Sequence, residues 1–455
     1  MTKKHSPPRG SCARLIILLV LLCAFAGQAQ AKTFNAETFT LNNGLRVIVI
    51  PNHRAPVVTH MIWYQFGAAD EKPGKSGIAH FLEHLMFKGT PKVPDGQFSA
   101  TVKKMGGNDN AFTTHDYTAF YQNVPREHLA KVMEMEADRM KNLTLQEDEV
   151  ASERQVIIEE RHQRIDNQPQ ALFDEQLMAT LFINHPYSTP VIGWLHEMKE
   201  LTREDALAYY SQWYAPNDAV LVVSGDITAA ELKPLAEKYY GPLKPSSLPV
   251  RVRPRPAPLT AQHRMMMADP RVGMPLLTKV YRAPRGSDAL EILAEIYGGS
   301  STARLYKDLV VDRKLAVSAG ADYEAIRLND TSLTIYASPA PGVSIDQLEA
   351  ALDDETARLL EKGITLEELN GAKNRRRASF TYYLDSLQGP AMLFGRAVSS
   401  GFDIDYLENW TDRVGHLTIE DVNHAAATVL KGDDHPIIGL LMPTPKPVVI
   451  KGVKK

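Results

Sequence analysis

Gly241-Pro242-Leu243-Lys244-Pro245-Ser246-Ser247-Leu248-Pro249-Val250-Arg251-Val252-Arg253-Pro254-Arg255-Pro256-Ala257-Pro258 is the stretch that decides how this chain is organised. Six prolines and three arginines stand in it, and no helical period runs through it. Each proline fixes φ and lacks an N–H, so an extended, semi-rigid linker is expected over 242–258. It separates two parts of similar size, 32–241 and 259–455.

The two parts echo each other. Leu201-Thr202-Arg203-Glu204-Asp205 leads into a helix and then the apolar strand Ala219 to Val223. Leu417-Thr418-Ile419-Glu420-Asp421 leads into a helix and then the strand Ile437 to Leu441. Thr144-Leu145-Gln146-Glu147 and Thr365-Leu366-Glu367-Glu368 open comparable helices at nearly the same offset. The fold class expected is α+β: two tandem duplicated units, each a mixed β-sheet packed with helices. Within the first unit, strands are expected over Phe39 to Ile50 (two, around Asn42-Asn43-Gly44), Val57 to Phe66 and Ala219 to Gly225. Helices are expected over Ser76–Lys88, Asp95–Met105, Arg126–Leu143 and Glu147–Asp166. Asn110 to Val124 reads as a strand pair.

The chain has 455 residues, 44% hydrophobic and 23% charged, enough for two or more cores and incompatible with general disorder. A net charge of −3 gives no basic field, so no nucleic-acid partner is expected. Lys3, Lys4, Arg9 and Arg14, the apolar run Leu15 to Phe25 and Ala29-Gln30-Ala31 form the pattern of a secretory signal peptide, 1–31, cut after Ala31. The run is too short for a stable membrane anchor. Removing four basic residues from 51 leaves 47 against 54 acidic ones, or −7. Both cysteines, Cys12 and Cys23, fall in the removed segment, so the exported chain is expected to use no thiol chemistry. Export places it in the periplasm or outside the cell.

His80-Phe81-Leu82-Glu83-His84 carries the chemistry. Residues i and i+4 share a helix face, so two imidazoles can grip one metal ion. Glu83 points to the same side and can handle the proton of a water. This is the reverse order of His-Glu-x-x-His. A catalytic zinc takes three protein ligands and keeps one position open. The helix from Glu147 to Asp166 offers Glu153, Glu159, Glu160 and His162 for the third, and spacing alone does not choose among them.

The segment Gly77-Ile78-Ala79-His80-Phe81-Leu82-Glu83-His84-Leu85-Met86-Phe87-Lys88-Gly89-Thr90 resembles the signature of the pitrilysin/insulinase (M16) metallopeptidases, of the bacterial two-domain, processing-peptidase-like type. Further matches are Gly106-Gly107, Asn110-Ala111-Phe112-Thr113, Glu153-Arg154-Gln155-Val156-Ile157-Ile158-Glu159-Glu160, His185-Pro186-Tyr187, Gly193-Trp194 and Tyr214-Ala215-Pro216-Asn217. The resemblance implies one Zn²⁺ per chain, held by His80, His84 and Glu160, with Glu159 as the fallback ligand. It implies Glu83 as general base and Glu153 as a supporting carboxylate. Asn110, Ala111 and Phe112 resemble the family's edge strand, on which an extended peptide substrate pairs as an added strand.

Two departures stand out. Near Gly298-Gly299-Ser300-Ser301 the second unit has no histidine, so one metal site is expected and the second unit reads as degenerate. Active members resemble one another in an arginine and a tyrosine seven residues apart in the second unit. Here Leu309-Val310-Val311-Asp312-Arg313-Lys314-Leu315-Ala316-Val317 puts Val310 and Val317 in those places. Valine has no donor for an oxyanion, and loss of such a donor costs roughly 3–4 kcal/mol in the barrier. The resemblance therefore implies a homologous partner subunit carrying the Arg/Tyr pair, with a homodimer as the other possibility. Arg313 is the nearest candidate substitute. A non-catalytic, peptide-binding or assembly subunit is the competing reading. Arg375-Arg376-Arg377 reads as a solvated helix face, and Met265-Met266-Met267 as strand core.

Overall fold

The structure is a computed structural model that describes residues 33–432 and 434–444, and Thr2. The expected signal segment, with Cys12 and Cys23, otherwise lies outside the described residues. No helix among the described residues is long and apolar enough to cross a membrane.

The first sheet holds β1 (Glu37–Thr40), β2 (Arg46–Pro51), β3 (Val57–Tyr64), β4 (Asn108–Thr113), β5 (Thr118–Pro125) and β6 (Ala219–Gly225), in the order β1-β2-β6-β3-β5-β4. The second holds β7 (His263–Asp269), β8 (Leu276–Ala283), β9 (Ala316–Tyr323), β10 (Thr331–Pro339) and β11 (Ile437–Pro443), in the order β7-β11-β8-β10-β9. Without β1 the two orders are the same. The senses match too: β2 with β6 and β7 with β11 are parallel, and the remaining pairs are antiparallel. The expected pair of duplicated mixed sheets is what the chain forms. Between the two sheets, residues 244–261 contain neither helix nor strand.

Both faces of the first sheet are covered, which is why β6 reads as an unbroken apolar run, Ala-Val-Leu-Val-Val. One face, with Val47, Val49, Ile62 and Leu221, packs on the first half's own helices, among them Ile78–Leu85, Leu129–Asn142 and Arg203–Trp213. The other face, with Ile48, Trp63 and Val222, packs on the second half. Helix Gly389–Ser399 lies there, and a Cβ at Gly395 would overlap the Trp63 indole. The second sheet receives a helix in return. Pro169–Leu181 lays Phe173, Leu177 and Leu181 against Val280, Ile437 and Leu441, and a Cβ at Gly439 would stand 2.9 Å from the Phe173 ring. The halves have exchanged helices across their sheets.

Two surface readings are corrected here. On β7, an edge strand with alternating burial, Met265 and Met267 pack on the core as expected, but Met266 is 72% exposed. A strand paired on one side only has no second neighbour to bury it. Arg375 and Arg376 do not face open solvent. Arg375 Nε meets Glu295 Oε1 at 2.5 Å, and Arg376 pairs with Glu291. Both acids lie on helix Asp288–Tyr297, whose packing against helix Leu366–Asp385 the local sequence does not reveal.

Candidate metal centre

Helix Ile78–Leu85 spans eight residues and carries three of the expected site residues. It follows Gly77, which sits at φ 86 and so needs glycine. A Cβ there would lie 2.6 Å from the Ile192 carbonyl. No side chain caps the helix in the usual position. Instead Gly77 and Ala79 donate their N–H groups to the two Glu71 oxygens, at 3.0 and 2.9 Å, and Ser76 N–H donates to Glu197 at 2.7 Å. Carboxylates suit the positive end of a helix dipole. Ile78, Ala79, Phe81, Leu82 and Leu85 anchor the helix in the core, which leaves His80, Glu83 and His84 turned to the cleft.

Helix Glu147–Arg161 brings Glu153 and Glu160, two turns apart, against that face. Glu160 Oε2 stands 3.5 Å from His80 Nε2 and 3.3 Å from His84 Nε2. One donor atom from each of His80, His84 and Glu160 falls within 4.8 Å of the others. Glu160 Oε2 is buried and makes no hydrogen bond among the described residues. A buried carboxylate oxygen without a donor is costly, and a cation between it and the two imidazoles would satisfy all three. Two nitrogens and one oxygen, with a cleft beside them, fit a zinc ion with one open position. Glu159 is exposed on the cleft wall and does not join the group.

The surroundings orient the imidazoles. Glu153 Oε1 accepts from His84 Nδ1 at 2.8 Å, which turns Nε2 towards Glu160. Lys88 Nζ holds the other Glu153 oxygen at 2.8 Å. That hydrogen bond from His84, aided by Lys88, holds the Glu153 carboxyl down to about 2. Burial pushes the His84 imidazole down, but Glu153 and Glu160 outweigh it and raise it to about 9. Burial and the neighbouring His84 lower His80 to about 4. His84, the largest influence on Glu160, lowers that carboxyl. Glu83 is pushed up to about 7 by burial, against a 2.5 Å hydrogen bond from the Thr113 hydroxyl. A carboxyl near neutrality suits proton transfer in both directions.

A cleft of about 870 Å³ runs past His80, Glu83 and His84 along Asn110, Ala111 and Phe112. These three lie on β4, an edge of the first sheet, so one side of that strand has no strand partner. Phe112 also packs edge-on against Trp63, at 5.3 Å. A second space of about 490 Å³ adjoins the group on the side of Ile165, Met178 and Ile192.

Val310 and Val317 do not line either space. Val310 packs on the second half's core, and Val317 is 39% exposed on β9. Arg313, the expected substitute, is turned to Asp308 and Asp354, at 3.5 and 3.7 Å. Sequence reasoning missed Glu71 and Glu197 because nothing local marks a carboxylate that caps a helix from a distant segment. Thr113 stood in a quoted stretch, but its bond to Glu83 depends on how β4 lies beside the helix.

The His-x-x-Glu-His helix and an acidic residue from a later helix thus bring His80, His84 and Glu160 to one point beside Glu83. The family model for insulinase (peptidase family M16) matches residues 46–193, and that for the peptidase M16 inactive domain matches 200–376. The zinc protease PqqE of Helicobacter pylori is 31% identical, over 91% of this chain and 94% of its own length. The uncharacterized zinc protease YmxG of Bacillus subtilis is 27% identical, over 77% of this chain and 85% of its own. A crystal structure of a protease from Helicobacter pylori superposes with a TM-score of 0.83 at 28% identity, over 90% of this chain and 99% of that one. The first half of the periplasmic protease PqqL from Escherichia coli shares the fold, with a TM-score of 0.76 at 21% identity, over 90% and 92%. The chain belongs to the M16 peptidase family.

Proposed function

We propose that the protein is an exported zinc endopeptidase that cuts peptides or unfolded polypeptide segments, completed by a homologous subunit. The observation that carries this reading is the convergence of His80, His84 and Glu160 beside the Glu83 carboxyl. In this reading His80, His84 and Glu160 would hold Zn²⁺, which when bound would supply Lewis acidity to the scissile carbonyl and to a water. Glu83 takes the water's proton as the oxygen attacks the carbonyl carbon. It then gives that proton to the leaving nitrogen as the C–N bond breaks. Thr113 and burial keep Glu83 poised, and Glu153 fixes His84 in the tautomer that leaves Nε2 free. Asn110, Ala111 and Phe112 offer the open edge of β4 to an extended peptide, which favours chains without fixed structure. The segment 1–31 supports export, and the same sequence reading divides the mature chain into 32–241, the linker 242–258 and 259–455.

Val310 and Val317 support the partner and also keep a second reading in play, a peptide-binding subunit without turnover. Zinc content and cleavage of a fluorogenic peptide, measured for wild type and Glu83→Gln, separate them. Zinc bound with Glu83-dependent cleavage upholds the peptidase. Zinc bound without cleavage, alone and with a copurifying homologue, leaves the binding subunit.

A further inference from the structure

Every residue lining the two spaces beside the metal centre comes from the first half of the chain, between His80 and Ile192. Whatever this chain itself offers to a developing oxyanion must come from that set. The strongest donor there would combine a fixed positive charge, N–H groups free of other partners and a place beside the metal-ligand group.

Arg164 alone meets these needs. Among the described residues it is the only lysine or arginine lining either space, and it lines both. The π-helical turn His162–Asp166, just after the glutamate helix, places it one turn beyond Glu160. Its Nε meets Glu160 Oε1 at 3.0 Å. That is the oxygen turned away from the imidazoles, since Oε2 faces both of them. Its terminal nitrogens make no hydrogen bond among the described residues, and its side chain is 74% exposed. The guanidinium is thus tethered at one edge with its fork free. Such a fork can give two charge-assisted hydrogen bonds to an oxygen carrying negative charge. Held at Glu160 Oε1, the guanidinium lies one carboxylate away from the Oε2 edge that faces the imidazoles.

We infer that Arg164 is a catalytic residue that binds the scissile carbonyl oxygen as it becomes an oxyanion, the role that Val310 and Val317 cannot fill. This rests on the peptidase reading above and adds a residue to that same site. Arg164 transfers no proton; it meets charge that appears only as the water oxygen bonds to carbon.

The test uses the full, zinc-loaded chain, with Arg164→Ala and Arg164→Lys. The probes are a fluorogenic peptide and a phosphinic pseudopeptide of the same sequence, whose tetrahedral anion mimics the oxyanion. Arg164→Ala should lower kcat about 100-fold with KM within threefold, and should weaken the phosphinic peptide by a similar factor. Zinc affinity should stay within threefold, and Arg164→Lys should recover part of the loss. Wild-type phosphinic affinity in Arg164→Ala overturns the proposal. So does a fall in zinc affinity large enough to account for the loss, because Arg164 would then act only through Glu160. A wild-type chain that binds zinc but cleaves nothing, alone and with a copurifying homologue, defeats the peptidase reading instead, and the phosphinic comparison still decides the role of Arg164.

Discussion

In the first half, helix Ile78–Leu85 turns two imidazoles towards the carboxylates of helix Glu147–Arg161. In the second half, helix Asp288–Tyr297 turns Glu291 and Glu295 towards Arg375 and Arg376 of helix Leu366–Asp385. Each first helix follows the matching strand, β3 or β8, of a sheet with the same order. One pair leaves the buried Glu160 Oε2 without a hydrogen-bond donor among the described residues. The other supplies its cations from arginine and satisfies the acids internally. The scaffold fixes where two helices meet. The residues at the meeting point decide whether it is a candidate metal centre or a closed ion-pair joint.

The comparison breaks most severely at Glu83. Glu83→Gln should leave zinc bound and lower kcat on a fluorogenic peptide about 10³-fold. Retained cleavage would mean that the first pair is no more catalytic than the second. Next is the support under His84. Glu153→Gln should weaken zinc binding 10- to 100-fold in a chelator competition, by freeing the imidazole to turn. The exchanged helices come third. Gly395→Ala sets a methyl into the Trp63 ring and should cost about 1–3 kcal/mol in denaturant unfolding. Removing the arginine joint sharpens the contrast: Arg375→Gln with Arg376→Gln should cost about 1 kcal/mol, since both are a third exposed, and should leave zinc and turnover unchanged.

The smallest effect concerns acid. Burial first, then the nearby Arg327, lowers His115 to about 4, and its Nε2 bonds the Thr189 carbonyl at 2.9 Å. A histidine depressed in the folded state contributes stability above its unfolded value near 6.5. That contribution is lost as pH falls towards 4, because the unfolded chain takes the proton first. The melting temperature should therefore drop between pH 6.5 and 4, and His115→Gln should flatten the slope.

The histidine pair was legible because i and i+4 share a helix face whatever the rest of the chain does. Strand β6 was legible to the residue, since an apolar run covered on both sides needs no partner to announce it. Glu160 was not chosen by spacing, because Glu153, Glu159 and Glu160 all lie on one helix; the resemblance selected it. Arg375 and Arg376 were misread because a charged helix face looks the same whether it meets water or acids on another helix. Which sheet each apolar helix would cover was not legible either. Phe173, Leu177 and Leu181 say that a face is buried, not whose sheet buries it.

The traded helices also set a schedule for synthesis. When residue 241 leaves the ribosome, the side of β2, β3 and β6 bearing Ile48, Trp63 and Val222 has nothing to lie against. Its lid, 389–399, arrives about 150 residues later, so nascent and truncated chains carry a greasy, unsheltered slab that only the finished polypeptide can close.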